Sequence, residues 1–465
     1  MKNKIIIKKG QKFQINKEIY LPLEIINDLD TALTNNPPNF SFKKAFAYFL
    51  LNLIAVRNNA NKDYTDYNES YVPLYSKILE SYYYGYKKYI KYLCDNNILE
   101  KRNYSTSKAT SNSFRFKNPV KYHNQLCYEK IELEDLSKFK NIQIVHSFDG
   151  KIQKCSHLVK WFYEGLEINC EGVYNDYCKE KNYNKKLFAV LHSQKIKNKE
   201  FWFTRNFESD RRLHSPITNL PKKIRKHLRF KGDKLESVDI KCSQPFFLIY
   251  FIEEVYKEIV EERKKNYTIM FENILQIEKI IFSKDFVSEY SQLKNAILHD
   301  DLYSFLGEKL YPDTIIELKR NEFIGCRQNK YRTIVSYNNP RELMKKTILR
   351  FLYVNTNNNR YLTEDEIDFR LIESNFPYFS LLLKVFKKND HKRLSKILQN
   401  IESHCILDYV TKELSLQYPE MPLFTIHDSV ITTESWNKKV NLKLQMERLI
   451  YNYTGLKPQL VTEQF

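Results

Sequence analysis

Long apolar runs, paired cysteines, linkers and repeats are all missing from this chain of 465 residues. No apolar stretch approaches the roughly 18 residues of a membrane span. The longest, around residues 245–252, stops at Glu253 and Glu254, so no membrane partner is expected. The opening MKNKIIIKKGQKF is basic, but it lacks a sustained apolar segment and a small-residue cleavage site, and it is not expected to act as a signal peptide. Eight cysteines, among them Cys94, Cys127, Cys242 and Cys405, occur singly with no Cys-x-x-Cys pair. That argues against a disulfide framework or structural zinc and for a reducing, cytoplasmic setting. Only 9 glycines stand beside 34 tyrosines and 30 phenylalanines, a composition that low-GC genomes produce regardless of function.

What is present bounds the class. A hydrophobic content of 42% with 14% aromatics supports a packed core and excludes global disorder. The length exceeds what one core usually organises, so two or three domains are expected. Lys plus Arg number 75 against 56 Asp plus Glu, a net charge of +19. Such a surplus suits a polyanionic partner, nucleic acid first, although compositional drift alone would also raise it.

Most segments read helical by period. Residues 42–56 carry a wide apolar stripe, 72–79 read as a short helix, and 84–94 repeat apolar residues at three and four. Asn96-Asn97 marks a turn, 98–102 a strand, 105–113 a polar hairpin and 114–116 a second strand. This order predicts a winged-helix-like DNA-binding domain over residues 1–125, with Lys87, Lys88 and Lys91 on the second helix and Arg102 and Lys108 in the wing as phosphate contacts. The same residues also suit a small packing module with a solvated lysine face. Residues 126–207 read only as a mixed, basic connecting or thumb-like region.

The second half holds three pieces. In LESVDIKCSQPFF, a short strand over 235–240 carries Asp239 near its end, Ser243 can cap and Pro245 can open the helix that follows. In PLFTIHDSVITTE, two apolar strands flank His427-Asp428 where a hairpin must turn. In NNPRELMKKTILRFLY, Asn339 is a plausible N-cap and Pro340 a first helical residue, while Arg341, Lys345, Leu349 and Tyr353 fall four apart on one face. Each has a bland alternative: a strand-end cap, an ordinary hairpin acid, a solvated basic helix face.

Together the three resemble motifs A, C and B of the right-hand polymerases of the family A DNA polymerase and phage-type single-subunit RNA polymerase group. Arg341, Lys345 and Tyr353 keep the motif B spacing, Asp239 and Asp428 hold the two acid positions, and Arg212-Leu213-x-Ser215-x-x-x-Asn219-Leu220, followed by Ile224-Arg225, resembles the segment preceding motif A in family A. The resemblance implies an α/β (α+β) right-hand fold over residues 208–465, with an antiparallel palm, helical fingers over about 253–361 and a thumb-like region before Arg212. It implies two Mg2+ ions, with Mn2+ as the alternative, held by Asp239 and Asp428. It further implies nucleotide contacts from Arg341, Lys345 and Tyr353, duplex contacts from Arg212, Asn219, Arg225 and Gln399, and support of the primer terminus by His427.

Several residues depart from the family pattern. Asp239 is followed by Ile-Lys-Cys-Ser-Gln, so either Ser243-Gln244 is a displaced Ser-Gln pair with Phe246 beside the sugar, or the segment follows the Asp-x-x-x-Ser form of the RNA polymerases. Motif C is His-Asp-Ser, as in the RNA polymerases, whereas the Arg-Leu-x-Ser segment points to DNA polymerases. The expectation is a template-directed DNA polymerase without a proofreading exonuclease, serving a plasmid, phage or other mobile element. DNA primer-template, nucleoside triphosphates and replication accessory proteins are its expected partners. A single-subunit RNA polymerase or primase, and an inactive replication initiator on the same fold, are the alternatives.

Overall fold

A computed structural model of the chain describes residues 13–15, 18–56, 71–103, 112–118, 128–133, 142–144, 155–180, 183–261, 271–312, 318–324, 331–353 and 363–465. Among them helices alternate with short sheets whose ladders are antiparallel, apart from the parallel pair Phe13–Ile15 and Ile142–Ile144. No helix among the described residues is long and apolar enough to cross a membrane.

Buried apolar side chains gather in two clusters. The first draws on residues from Ile19 to Leu133 and on Leu191; the second extends from Cys155 to Leu460. In the first, the expected apolar stripe forms the helix Lys44–Val56, with Phe46, Leu50 and Ile54 fully buried. Residues 72–79 are not one helix. Val72–Pro73 is a strand and the helix is Ser76–Tyr82, because proline lacks the ladder donor and holds its predecessor extended. After a turn at Tyr83–Gly85, the helix Tyr86–Asp95 buries Tyr86, Tyr89, Ile90 and Leu93. Leu99–Arg102 then pairs with Ser113–Phe116, which also takes Val72–Pro73 on its other edge. Most of the polar connection between those strands, including Lys108, lies outside the described residues.

The 126–207 stretch contributes to both clusters. Tyr128–Glu132 pairs with Glu18–Pro22 beside the first cluster, whereas Ser156–Gly165 and Leu166–Ile168 build the second. The reason is pairing: Leu166–Ile168 adds an edge to the larger sheet through Leu228–Phe230.

The middle of that sheet is Asp233–Ile240. One edge pairs with Ser429–Thr433; along the other, Leu228–Phe230 pairs its start and Leu460–Gln464 its remainder. The tight turn into it is Lys231-Gly232, both at positive φ (49° and 82°), a conformation that matches the twist of a two-residue hairpin. Burial alternates less than a one-sided sheet requires, since Leu235, Ser237, Val238 and Ile240 are all buried and helices cover the sheet.

One helix serves both clusters. Tyr183–Lys197 places Leu191 in the first and Ala189 and Ile196 in the second. Truncating Leu191 to Ala is expected to cost about 2–5 kcal/mol. All three tryptophans, Trp161, Trp202 and Trp436, lie beyond the first cluster's own segments. Urea unfolding followed by their fluorescence should nonetheless register the loss, and an unchanged midpoint would show that the clusters unfold independently.

Candidate active site

Two acids reach one place by separate routes. Pairing of Val238 with Val430 leaves Asp239 beside Ser429, whose side chain hydrogen-bonds it. In the neighbouring hairpin Ile426 pairs with Ser429, so the turn consists of His427 and Asp428 alone. His427 sits at φ 55°, a left-handed conformation that histidine adopts more readily than β-branched residues do. The Asp239 and Asp428 carboxyls thus line one cavity of about 700 Å³, whose walls also include Arg212, Arg225, Gln244, Arg341, Lys345, Glu402 and His427.

Their electrostatics follow from burial. Burial raises the Asp239 carboxyl above its ordinary range, against the Ser429 hydrogen bond. Burial, then repulsion from Glu402 and Asp239, pushes Asp428 up to about 7. His427 moves the other way, down to about 4, because burial and the nearby Arg212 disfavour its cation. Its Nδ1 has no hydrogen-bond partner among the described residues.

Asp239 and Asp428 fit a hard divalent cation such as Mg2+. They offer only oxygen ligands, and raised carboxyls that repel one another are relieved by a cation between them. Among the described residues no group of three or more His, Cys, Asp and Glu suits a metal ion, so the pair would leave positions for water and phosphate oxygens.

The opposite wall is the helix Pro340–Tyr353. Asn339 caps it, accepting from the Glu342 N–H at 2.9 Å, as the sequence predicts. Leu343, Met344, Thr347, Ile348, Phe351 and Leu352 bury its other side, which leaves Arg341, Lys345 and Leu349 on the cavity. Arg341 Nε donates to Asp301, while exposed Lys345 makes no ion pair among the described residues. Tyr353 does not line the cavity itself; its hydroxyl donates to Gln244 Oε1 at 2.6 Å.

Other expected residues stand elsewhere. Phe246 is 1% exposed and packs against Phe247, because it faces into the core from the helix Ser243–Val260 and has no access to a ligand. Gln244, 8% exposed, holds the cavity position instead. Ser243 is no helix cap: Cys242 holds the cap position at φ 48°, and Ser243 Oγ donates to Glu402. Arg212 lines the cavity with its guanidinium bonded to Glu402. Asn219 is exposed and Gln399 half-buried, and neither is on the cavity wall. Gln399 falls short because the wall is met about one helical turn later, by Glu402. Lys87, Lys88, Lys91 and Arg102 belong to the first cluster's region. There Lys91 pairs with Asp95 at 2.7 Å and Arg102 lies 4.3 Å from the Tyr71 ring centroid.

Sequence reasoning missed Glu402, Asp301 and Tyr303. A signal for Glu402 existed: it is 1% exposed among Leu394, Ile397, Leu398, Ile401 and Cys405, an acid inside an apolar helical stripe.

No family model matches the chain, and no curated protein matches it. One similar solved structure is the POL domain of Pol1 from M. smegmatis in complex with DNA primer-template and dNTP, at 11% identity and a TM-score of 0.35, over 64% of this chain. The match spans about half the length of that domain, 55%.

The raised Asp428 carboxyl has a consequence for stability. An acid whose folded pKa lies near 7 and whose unfolded value lies near 4 stabilises the folded state below about pH 4, and that contribution is lost as pH rises through 7. Asp428→Asn is therefore expected to raise the melting temperature of metal-free protein at pH 8, with the gain shrinking towards pH 5. A calorimetric series over that range checks it; a gain independent of pH would remove the assigned cause.

Proposed function

We propose that this chain is a template-directed DNA polymerase working by nucleotidyl transfer. The observation that carries the reading is one cavity lined by Asp239 from the central strand, by Asp428 from the hairpin turn beside it, and by Arg341 and Lys345 from one helix. Bound by the two acids, a pair of Mg2+ ions, or Mn2+, would supply activation of a 3′ hydroxyl and charge neutralisation at the leaving phosphates. Lys345, exposed and without an ion pair among the described residues, would meet a triphosphate, and Arg341 would exchange Asp301 for phosphate oxygens. Neutral His427, beside Asp428, would support the primer terminus without adding a charge. Arg212 and Arg225 would border the path of the template-primer.

The first cluster's region, with the order helix, strand, helix, turn, helix, strand, strand over residues 44–116, is on this reading a winged-helix module presenting Tyr86–Asp95 to duplex DNA. The enzyme would lack a proofreading exonuclease and serve a plasmid, phage or other mobile element.

Primer extension with Mg2+ and dNTPs tests the reading. Asp239→Asn and Asp428→Asn are each expected to reduce extension by about three orders of magnitude, the scale of losing preorganised charge stabilisation. Extension at the parental rate by both variants would refute it, and the same assay with rNTPs on unprimed template separates RNA synthesis from DNA synthesis. For the module, Lys87→Ala/Lys88→Ala is expected to lower the salt slope of duplex binding by about two, while Lys91→Ala, already paired with Asp95, changes it least. Equal slopes for all three proteins in a binding titration against salt would place the duplex elsewhere.

A further inference from the structure

The geometry points to Glu402 as a positioning residue that sets the direction of a hydrogen-bond chain ending at Tyr353, and so holds the helix carrying Arg341 and Lys345 in register with the two acids. This inference rests on the polymerase reading for its functional consequence, not for its geometry.

Glu402 is buried, and both its oxygens are fully engaged. Oε1 accepts from Arg212 Nε at 2.8 Å and from Arg212 Nη2; Oε2 accepts from Ser243 Oγ at 2.7 Å and from Gln244 Nε2 at 2.5 Å. Ringed by donors in this way, Glu402 has no oxygen left to offer a metal ion, which separates its role from that of Asp239 and Asp428. A carboxylate can only accept, so it forces the Gln244 amide to present its NH2 towards Glu402 and its carbonyl away. That carbonyl receives the Tyr353 hydroxyl proton. The chain Tyr353, Gln244, Glu402, Arg212 therefore has one sense, and four separate pieces of backbone meet on it: the end of the cation helix, the start of Ser243–Val260, the helix Arg393–Ser403 and the segment around Arg212.

Replacing the acid by its amide breaks the sense. In Glu402→Gln, an NH2 must face either the Arg212 guanidinium or the Ser243 and Gln244 donors. In the second case Gln244 must turn over, which sets its NH2 against the Tyr353 hydroxyl, so that the hydroxyl accepts where it had donated and the chain loses its sense. Exchanging the two residues restores it. In Glu402→Gln/Gln244→Glu, Arg212 donates to the amide oxygen at 402, the amide NH2 donates to the carboxylate at 244, and Tyr353 donates to that same carboxylate.

Steady-state extension of the parent, both single variants and the exchange is the test, with thermal melts of all four. Glu402→Gln is expected to raise the nucleotide KM about tenfold, the scale of losing one hydrogen bond to a charged group, with kcat and primer-template affinity within about threefold. The exchange should bring KM back to within about threefold of the parent and its melting temperature above that of either single variant. A purely structural role would move the melts without splitting KM from kcat. A KM unchanged by Glu402→Gln overturns the inference, as does an exchange variant that melts no higher than the singles or does not fold. If the parent itself fails to extend primers, the polymerase reading falls, while the four melts still decide whether Glu402 and Gln244 act as one chain.

Discussion

The register of the strand Asp233–Ile240 is the constraint on which the site depends. It is hydrogen-bonded on both edges, and its successive residues face opposite sides of the sheet. A slip of one residue would turn Asp239 away from the cavity and put an apolar neighbour, Val238 or Ile240, in its place. The Lys231-Gly232 turn before it and the pairing of Val238 with Val430 beside it fix that register from two directions. The two-residue hairpin at His427-Asp428 then has no freedom to shift either, since Ile426 and Ser429 are already paired.

Around that frame the charges are arranged as opposites that do not touch. Among the described residues Asp239 and Asp428 make no direct salt bridge, while Arg212 is committed to Glu402 and Arg341 to Asp301. Had the arginines closed on the two catalytic candidates, the cavity would be neutral and its acids held low. Secondary carboxylates occupy the arginines instead, which leaves the central pair raised and short of positive charge. The farther buried pair of Arg205 with Asp408, at 2.6 Å, does similar work one layer back, tying the residues before Arg212 to the π-helical turn His404–Val410 that follows Glu402.

Local signals were legible in the sequence where they were strong. The Asn339-Pro340 helix start, the 427–428 hairpin and the strand before Asp239 all stand where pattern and turn chemistry place them. Long-range choices were not. Nothing local to residues 166–168 indicates that they edge the larger sheet, because that assignment depends on a partner about sixty residues later. Gln244 and Phe246 are two positions apart on one helix, and only the packing of the core decides which faces the ligand side. Glu402 is the instructive case, since a charge in an apolar stripe was visible, but its three partners come from segments about 160 and 190 residues away.

The helix Tyr183–Lys197 gives the molecule a mechanical property beyond its packing. With Leu191 seated in one cluster and Ala189 and Ile196 in the other, and with Asn198 just past its end bonded to the Tyr20 hydroxyl at 3.1 Å, it works as a beam clamped at both supports. A displacement of the first cluster is therefore carried along this helix towards Leu166–Ile168, the edge of the acid-bearing sheet.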